Sequence, residues 1–139
     1  MNDDKYPCHS ARGITMRECV DGKNIKRCVF KFDKVREYNR KEISIQWLDD
    51  MDSAIQMKSR LKGQFPQFVL GFAVLLTIDL EKLKKSPHYA GMNYSREPSS
   101  RSKYHGLITV PYEFNDRELA AELAMLSKKY EFDEDLPFG

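Results

Sequence analysis

Arg96, Arg101, Lys103, Tyr104 and His105 fall close together in a polar, serine-rich stretch, YSREPSSRSKYHGLI, at residues 94–108. These are the side chains whose types and spacing suit chemistry. An imidazole titrates near neutral pH and is the commonest general acid or base. Guanidinium groups match phosphate oxygens in pairs, and a tyrosine ring stacks on a nucleobase. His105 is therefore the candidate catalytic residue, with Arg96, Arg101 and Lys103 as phosphate binders and Tyr104 as a stacking platform. The competing reading makes His105 a strand-start residue bonded to a backbone group, with the arginines solvated. No second acid or base adjoins His105 in sequence, so His88 would have to be brought near by the fold.

Two further sets were weighed. Cys8, His9, Cys19 and Cys28 supply zinc-compatible atoms, but the chain lacks a close C-x₂₋₄-C knuckle, and no metal or other cofactor is expected. Three cysteines, an odd number, do not suggest a disulfide framework, and Cys28 reads as a core residue. The second set is electrostatic. Residues 12–41 hold ten Lys/Arg against four Asp/Glu, whereas residues 113–139 hold three against eight. A basic face of this kind tracks a phosphate backbone when its charges line up, or else is simply solvated. Asp49, Asp50 and Asp52 lie at a helix start, where acids favour the helix dipole, and are read as structural.

The elements that must position these groups follow from periodicity. Asp21-Gly22 marks a turn, with residues 14–20 and 25–32 as hairpin arms; Cys28, Phe30 and Phe32 alternate as in a half-buried strand. Ile43, Ile45 and Trp47 alternate in a second strand. Asp49 or Asp50 caps a helix with Met51, Ala54, Ile55 and Leu61 on its apolar stripe and Gly63 at its end. The apolar run 68–78 is a central strand, in which Gly71 marks a bulge or the close approach of another element. Asp79 caps a short helix over 80–85. Residues 89–94 form an edge strand, 95–103 a loop and 105–110 a strand. Asn115 and Glu118 open a final helix with Leu119, Leu123, Leu126 and Tyr130 on its apolar stripe.

The fold class is α+β: a mixed or mainly antiparallel sheet with two main helices on one face, in a single domain over 1–130. An acidic tail, 131–139, stays loose unless Phe132 or Phe138 docks. The polar start and the shortness of the longest apolar run argue against a signal peptide, a membrane span or any membrane partner, so a cytoplasmic location is expected.

The stretches NRKEISIQWLDD (39–50) and SKYHGLI (102–108), the latter followed by a helix rich in Leu, Ala and Glu, together resemble small bacterial proteins from mobile-element and phage-defence neighbourhoods. That family has no assigned activity, so the resemblance implies no catalytic residue; it singles out Trp47, His105 and Gly106. The leading functional expectation is a non-catalytic cytoplasmic binding or accessory module of a larger assembly, associated with nucleic acid or defence and engaging a protein partner, with RNA or DNA reached through the basic residues. The alternative is a small metal-independent nuclease with His105 as acid or base and Arg96 and Arg101 on the phosphate.

Overall fold

The computed structural model describes residues 6–64 and 70–139. The chain is α+β, with three helices and one principal antiparallel sheet. Its strands are β1 (His9–Gly13), β4 (Asp33–Val35), β5 (Arg40–Trp47), β6 (Phe72–Leu76), β7 (Asn93–Arg96), β8 (His105–Pro111) and β9 (Lys128–Tyr130), while β2 (Val20–Asp21) and β3 (Asn24–Ile25) form a separate small hairpin. The sheet order is β7-β8-β5-β1-β6-β9, with β4 also paired to β5.

Helices cover both faces of the sheet, not one. On one face, Ile43, Ile45 and Trp47 of β5 join Leu75, Ile108, Leu80 and Leu83 of α2 (Thr77–Lys85), and Leu119 and Leu123 of α3 (Asp116–Leu126). On the other, Ala11, Phe72 and Val74 pack against Ala54, Met57 and Leu61 of α1 (Met51–Gln64), together with Leu136 of the tail. Strand side chains alternate between faces, so a sheet buried on both sides uses both sets. This is why Phe72, Ala73, Val74 and Leu75 are all buried, as expected for a central strand. Residues 68 and 69 of that expected strand lie outside the described residues.

Several local expectations are met. The Asp50 side chain accepts from Ser53 N at 2.9 Å and caps α1, and Asn115 accepts from Arg117 N and caps α3. Gly71 (φ 126°) is indeed a site of close approach, since a Cβ there would lie 2.4 Å from the carbonyl oxygen of Tyr130 in β9. The tail docks: Phe132 stacks on Phe72 with ring centroids 5.7 Å apart, and Leu136 is buried.

Others are corrected. The hairpin around Asp21-Gly22 has arms of only two residues each, and Arg27–Phe30 is a 3-10 turn, not part of a strand. Cys28 is exposed and bonded to Cys19, so the chain does hold a disulfide, and Val29 and Phe30 are the residues that turn inward. In α1 the buried stripe is Ala54, Met57 and Leu61, while Met51 and Ile55 face outward at 60% and 59% exposure. Gly63 lies within α1, and α2 begins at Thr77, placing Asp79 inside its first turn. β1 and β4 have no counterpart in the periodicity reading, and Tyr130, expected on the stripe of the last helix, lies in β9 beyond the end of α3 at Leu126. No helix among the described residues is long and apolar enough to cross a membrane.

Candidate functional site

β5 changes partner along one edge. β4 pairs with it as far as Asp33 opposite Glu42, and β1 takes over at Ala11 opposite Gln46. The Arg12 side chain crosses the intervening gap. Its Nη1 donates to the Ser44 carbonyl at 2.5 Å, and its Nε donates to the Val29 carbonyl at 2.7 Å. A charged donor thus satisfies backbone acceptors where no strand does so among the described residues. Burial pushes the Arg12 pKa down from its ordinary value, and the Asp33 charge pulls it back up. An arginine nevertheless stays cationic in proteins.

Arg12 lines a cavity of about 470 Å³ between α1, the β1–β5–β8 part of the sheet and the loop that follows β7. Arg60, Arg101 and His105 line it as well, with Ser44 and Gln46 at its floor. No aspartate or glutamate is among the described residues that line it. Arg60 projects from α1, where its Nε is buried and has no hydrogen-bond partner among the described residues. Burial lowers the Arg60 pKa first, and the neighbouring positive charge of Arg101 lowers it further. Neither arginine forms an ion pair among the described residues. Like charges gathered around a partly desolvated space raise the free energy of the empty protein, and an anion relieves that cost.

The loop that carries Arg101 is held in place by a polar lock. Ser102 Oγ donates its one proton to Gln56 Oε1 at 2.8 Å and lies 3.2 Å from Gln46 Oε1. Gln46 Nε2 donates to the Ser53 carbonyl at 2.7 Å, which ties strand, helix and loop together. Ser99 and Ser102 exchange backbone hydrogen bonds across the loop. His105 Nδ1 lies 2.8 Å from the Glu97 carbonyl oxygen. A carbonyl only accepts, so Nδ1 carries the proton and Nε2 is the nitrogen left free to take one.

The structure brings two of the expected site residues, Arg101 and His105, into this cavity. It takes Arg96 elsewhere. Arg96 stands opposite Gly106 in the β7–β8 register, one position on from His105, so the two side chains leave opposite faces of the hairpin. Arg96 grips Asp49 with both terminal nitrogens, Nη1 to Oδ1 at 3.1 Å and Nη2 to Oδ2. Lys103 is exposed, its ammonium 5.2 Å from the Tyr104 ring centroid.

Tyr104 and Trp47 are corrected as contact surfaces. Tyr104 is 5% exposed and its hydroxyl donates to Asp52 Oδ2 at 2.6 Å, so its ring is no stacking platform. Trp47 is wholly buried and donates from Nε1 to the Ser95 carbonyl at 3.2 Å. His88 does not approach His105; it pairs with Glu118 on α3 at 2.7 Å. No group of three or more His, Cys, Asp or Glu among the described residues is placed to hold a metal ion.

Arg60 is the site residue that belonged to no candidate set in the sequence, and Arg12 counted there only as one of the ten basic residues of 12–41. Arg60 carried a legible signal. It follows Ser53 and Met57 at helical spacing, on the side of α1 that turns to the sheet, where a charged residue calls for a reason. Nothing set Arg12 apart from the other basic residues of 12–41, because β1 itself went unseen. Compared with family models, with curated proteins and with solved structures, the chain gave no match.

Proposed function

We propose that this protein is a non-catalytic binding module that takes a phosphate-bearing ligand into the Arg12–Arg60–Arg101–His105 cavity. One observation carries the reading: among the described residues, three arginines and a histidine line a single cavity with no carboxylate, and one of those arginines has a buried donor without a partner. A phosphate offers several acceptor oxygens to such donors and carries the charge that offsets their repulsion. The cavity's volume lies in the range of small-molecule sites, about 300–1,000 Å³.

Calorimetric titration with pyrophosphate and with a nucleoside monophosphate tests it. Wild type binds and Arg60→Gln weakens binding by at least about tenfold, the loss of one charge-assisted contact. Equal affinity in wild type and Arg60→Gln sinks the reading. The wider expectation, that such a module serves a larger assembly, is tested by native mass measurement of the chain drawn from its host; free monomer alone would count against it.

A nuclease is the second reading, favoured by His105 sharing the cavity with Arg101 and Arg60. It stands second because the described lining holds no second histidine and no carboxylate to act as the other acid or base, and because Arg96 is engaged by Asp49. Loss of an RNA-cleaving activity in His105→Ala, with the melting temperature unchanged, would put it first.

A further inference from the structure

The cavity does not stand alone. It shares Arg12, Gly13 and Thr15 with a second cavity of about 230 Å³, lined also by Cys28 and Lys31. That one shares Cys28 and Lys31 with a third, of about 190 Å³, to which Arg27 and Arg117 belong. Arg27 in turn lines a fourth, of about 560 Å³, together with Lys23 and Lys26. Each step along this series adds at least one cation.

The series is also poor in opposing charge. Lys23, Lys26, Arg27, Lys31 and Arg117 are all exposed, and none forms an ion pair among the described residues. Two acids among the described residues line it, Asp33 and Asp116. Asp116 is held by Lys41 at 2.7 Å, which offsets its charge. Surface cations normally sit interspersed with acids, and a connected row of unpaired ones is the electrostatic footprint of a polyanion.

We propose that the cavity is the end of a track and that its ligand is a single nucleic-acid strand. One phosphate enters the Arg12–Arg60–Arg101–His105 cavity, and the following phosphodiesters run past Lys31, Arg27 and Arg117 towards Lys23 and Lys26. The proposal rests on the reading of the cavity as a phosphate site. Small linked concavities follow a flexible strand, whereas a duplex is straight on this scale, with a persistence length of about 50 nm. The recognition is of backbone and not of sequence, because among the described residues no tyrosine, phenylalanine or tryptophan lines any of the four cavities.

Fluorescence anisotropy decides it, using 5′-phosphorylated 12-mers of RNA and of DNA, the matching duplexes, and a nucleoside monophosphate as competitor. The single strand is expected to bind at least about tenfold tighter than the monophosphate, with log K falling against log salt at a slope of roughly −3 to −5, as for five or six phosphates on a single strand. The triple variant Arg27→Gln/Lys31→Gln/Arg117→Gln should lose most of that advantage and flatten the slope, yet bind the monophosphate as wild type does. Preference for RNA or for DNA identifies the source of the strand. A 12-mer that binds no tighter than the monophosphate, a triple variant that binds like wild type, or a preference for duplex overturns the track while leaving the cavity reading standing. Strand binding that Arg60→Gln leaves intact overturns the cavity as the track's end. If wild type binds neither ligand, both proposals fall.

Discussion

Gly106 lies against the indole of Trp47. A Cβ at this position would sit 2.2 Å from Trp47 Nε1 and 2.7 Å from the Ser95 carbonyl oxygen to which that nitrogen donates. Neither neighbour yields easily, one being a ring fixed in the core and the other a strand backbone. Gly106→Ala should therefore destabilise the protein by about 1–3 kcal/mol through overpacking. Urea unfolding measures it, as a lower midpoint at unchanged slope; a midpoint equal to wild type would show that β7 and β8 part at no cost.

Tyr104 makes a pH prediction. Its pKa is raised well above the ordinary tyrosine value, first by the hydrogen bond to Asp52, then by burial and the nearby acidic charges. A raised folded-state pKa contributes stability that is complete below the unfolded value, about 10, and is lost as pH climbs from there towards the folded pKa. Stability should thus fall on raising the pH above about 10. Tyr104→Phe should reduce that slope, and should cost roughly 1 kcal/mol at neutral pH for the lost hydrogen bond. Melting temperatures across the alkaline range, with identical slopes in both proteins, would refute it.

Cys19 and Cys28 close a loop with a sequence separation of 9. A cross-link of that span restrains the unfolded chain by roughly 2–3 kcal/mol. Reduction, or Cys28→Ser, should lower stability by about that amount. The effect should extend to Arg12, whose Nε is held by the Val29 carbonyl within the same turn. Differential scanning calorimetry with and without reductant checks the first point, and hydrogen exchange around Val29 the second.

Arg60 should show opposite effects on binding and on folding. Removing its charge relieves repulsion with Arg101 and removes a buried donor that has no partner among the described residues. Arg60→Gln is expected to stabilise the ligand-free protein by roughly 0.5–1 kcal/mol while weakening phosphate binding. A destabilised variant would mean that Arg60 serves packing through its aliphatic stem.

The sequence disclosed the elements whose own side chains set the period. Ile43, Ile45 and Trp47 marked β5, and Leu119 and Leu123 marked α3. It concealed β1 and β9, since HSARG and KKY carry no apolar alternation and join the sheet through backbone hydrogen bonds to a strong neighbour, β6. The 27–30 turn misled for a different reason: alternation in Cys28, Phe30 and Phe32 is compatible with a 3-10 turn that buries Val29 and Phe30. For the site, Arg101 and His105 were legible because one short stretch holds both. Arg12 and Arg60 come from β1 and α1, and only the placement of β1 between β5 and β6 brings them to the same cavity.

The Ser102–Gln46–Gln56 lock bears on how fast and how tightly a ligand is captured. A serine-rich loop would ordinarily have to be ordered at the moment of binding, and that entropy would be subtracted from the affinity. Here the Ser102 contacts order the loop during folding, so a phosphate bound as proposed would not have to order it. Association is then governed by diffusion and by the field of the surrounding arginines, and its rate should fall steeply with ionic strength. Ser102→Ala, which frees the loop from both glutamines without touching a charge, should leave that salt dependence in place and slow capture through the loop's regained freedom.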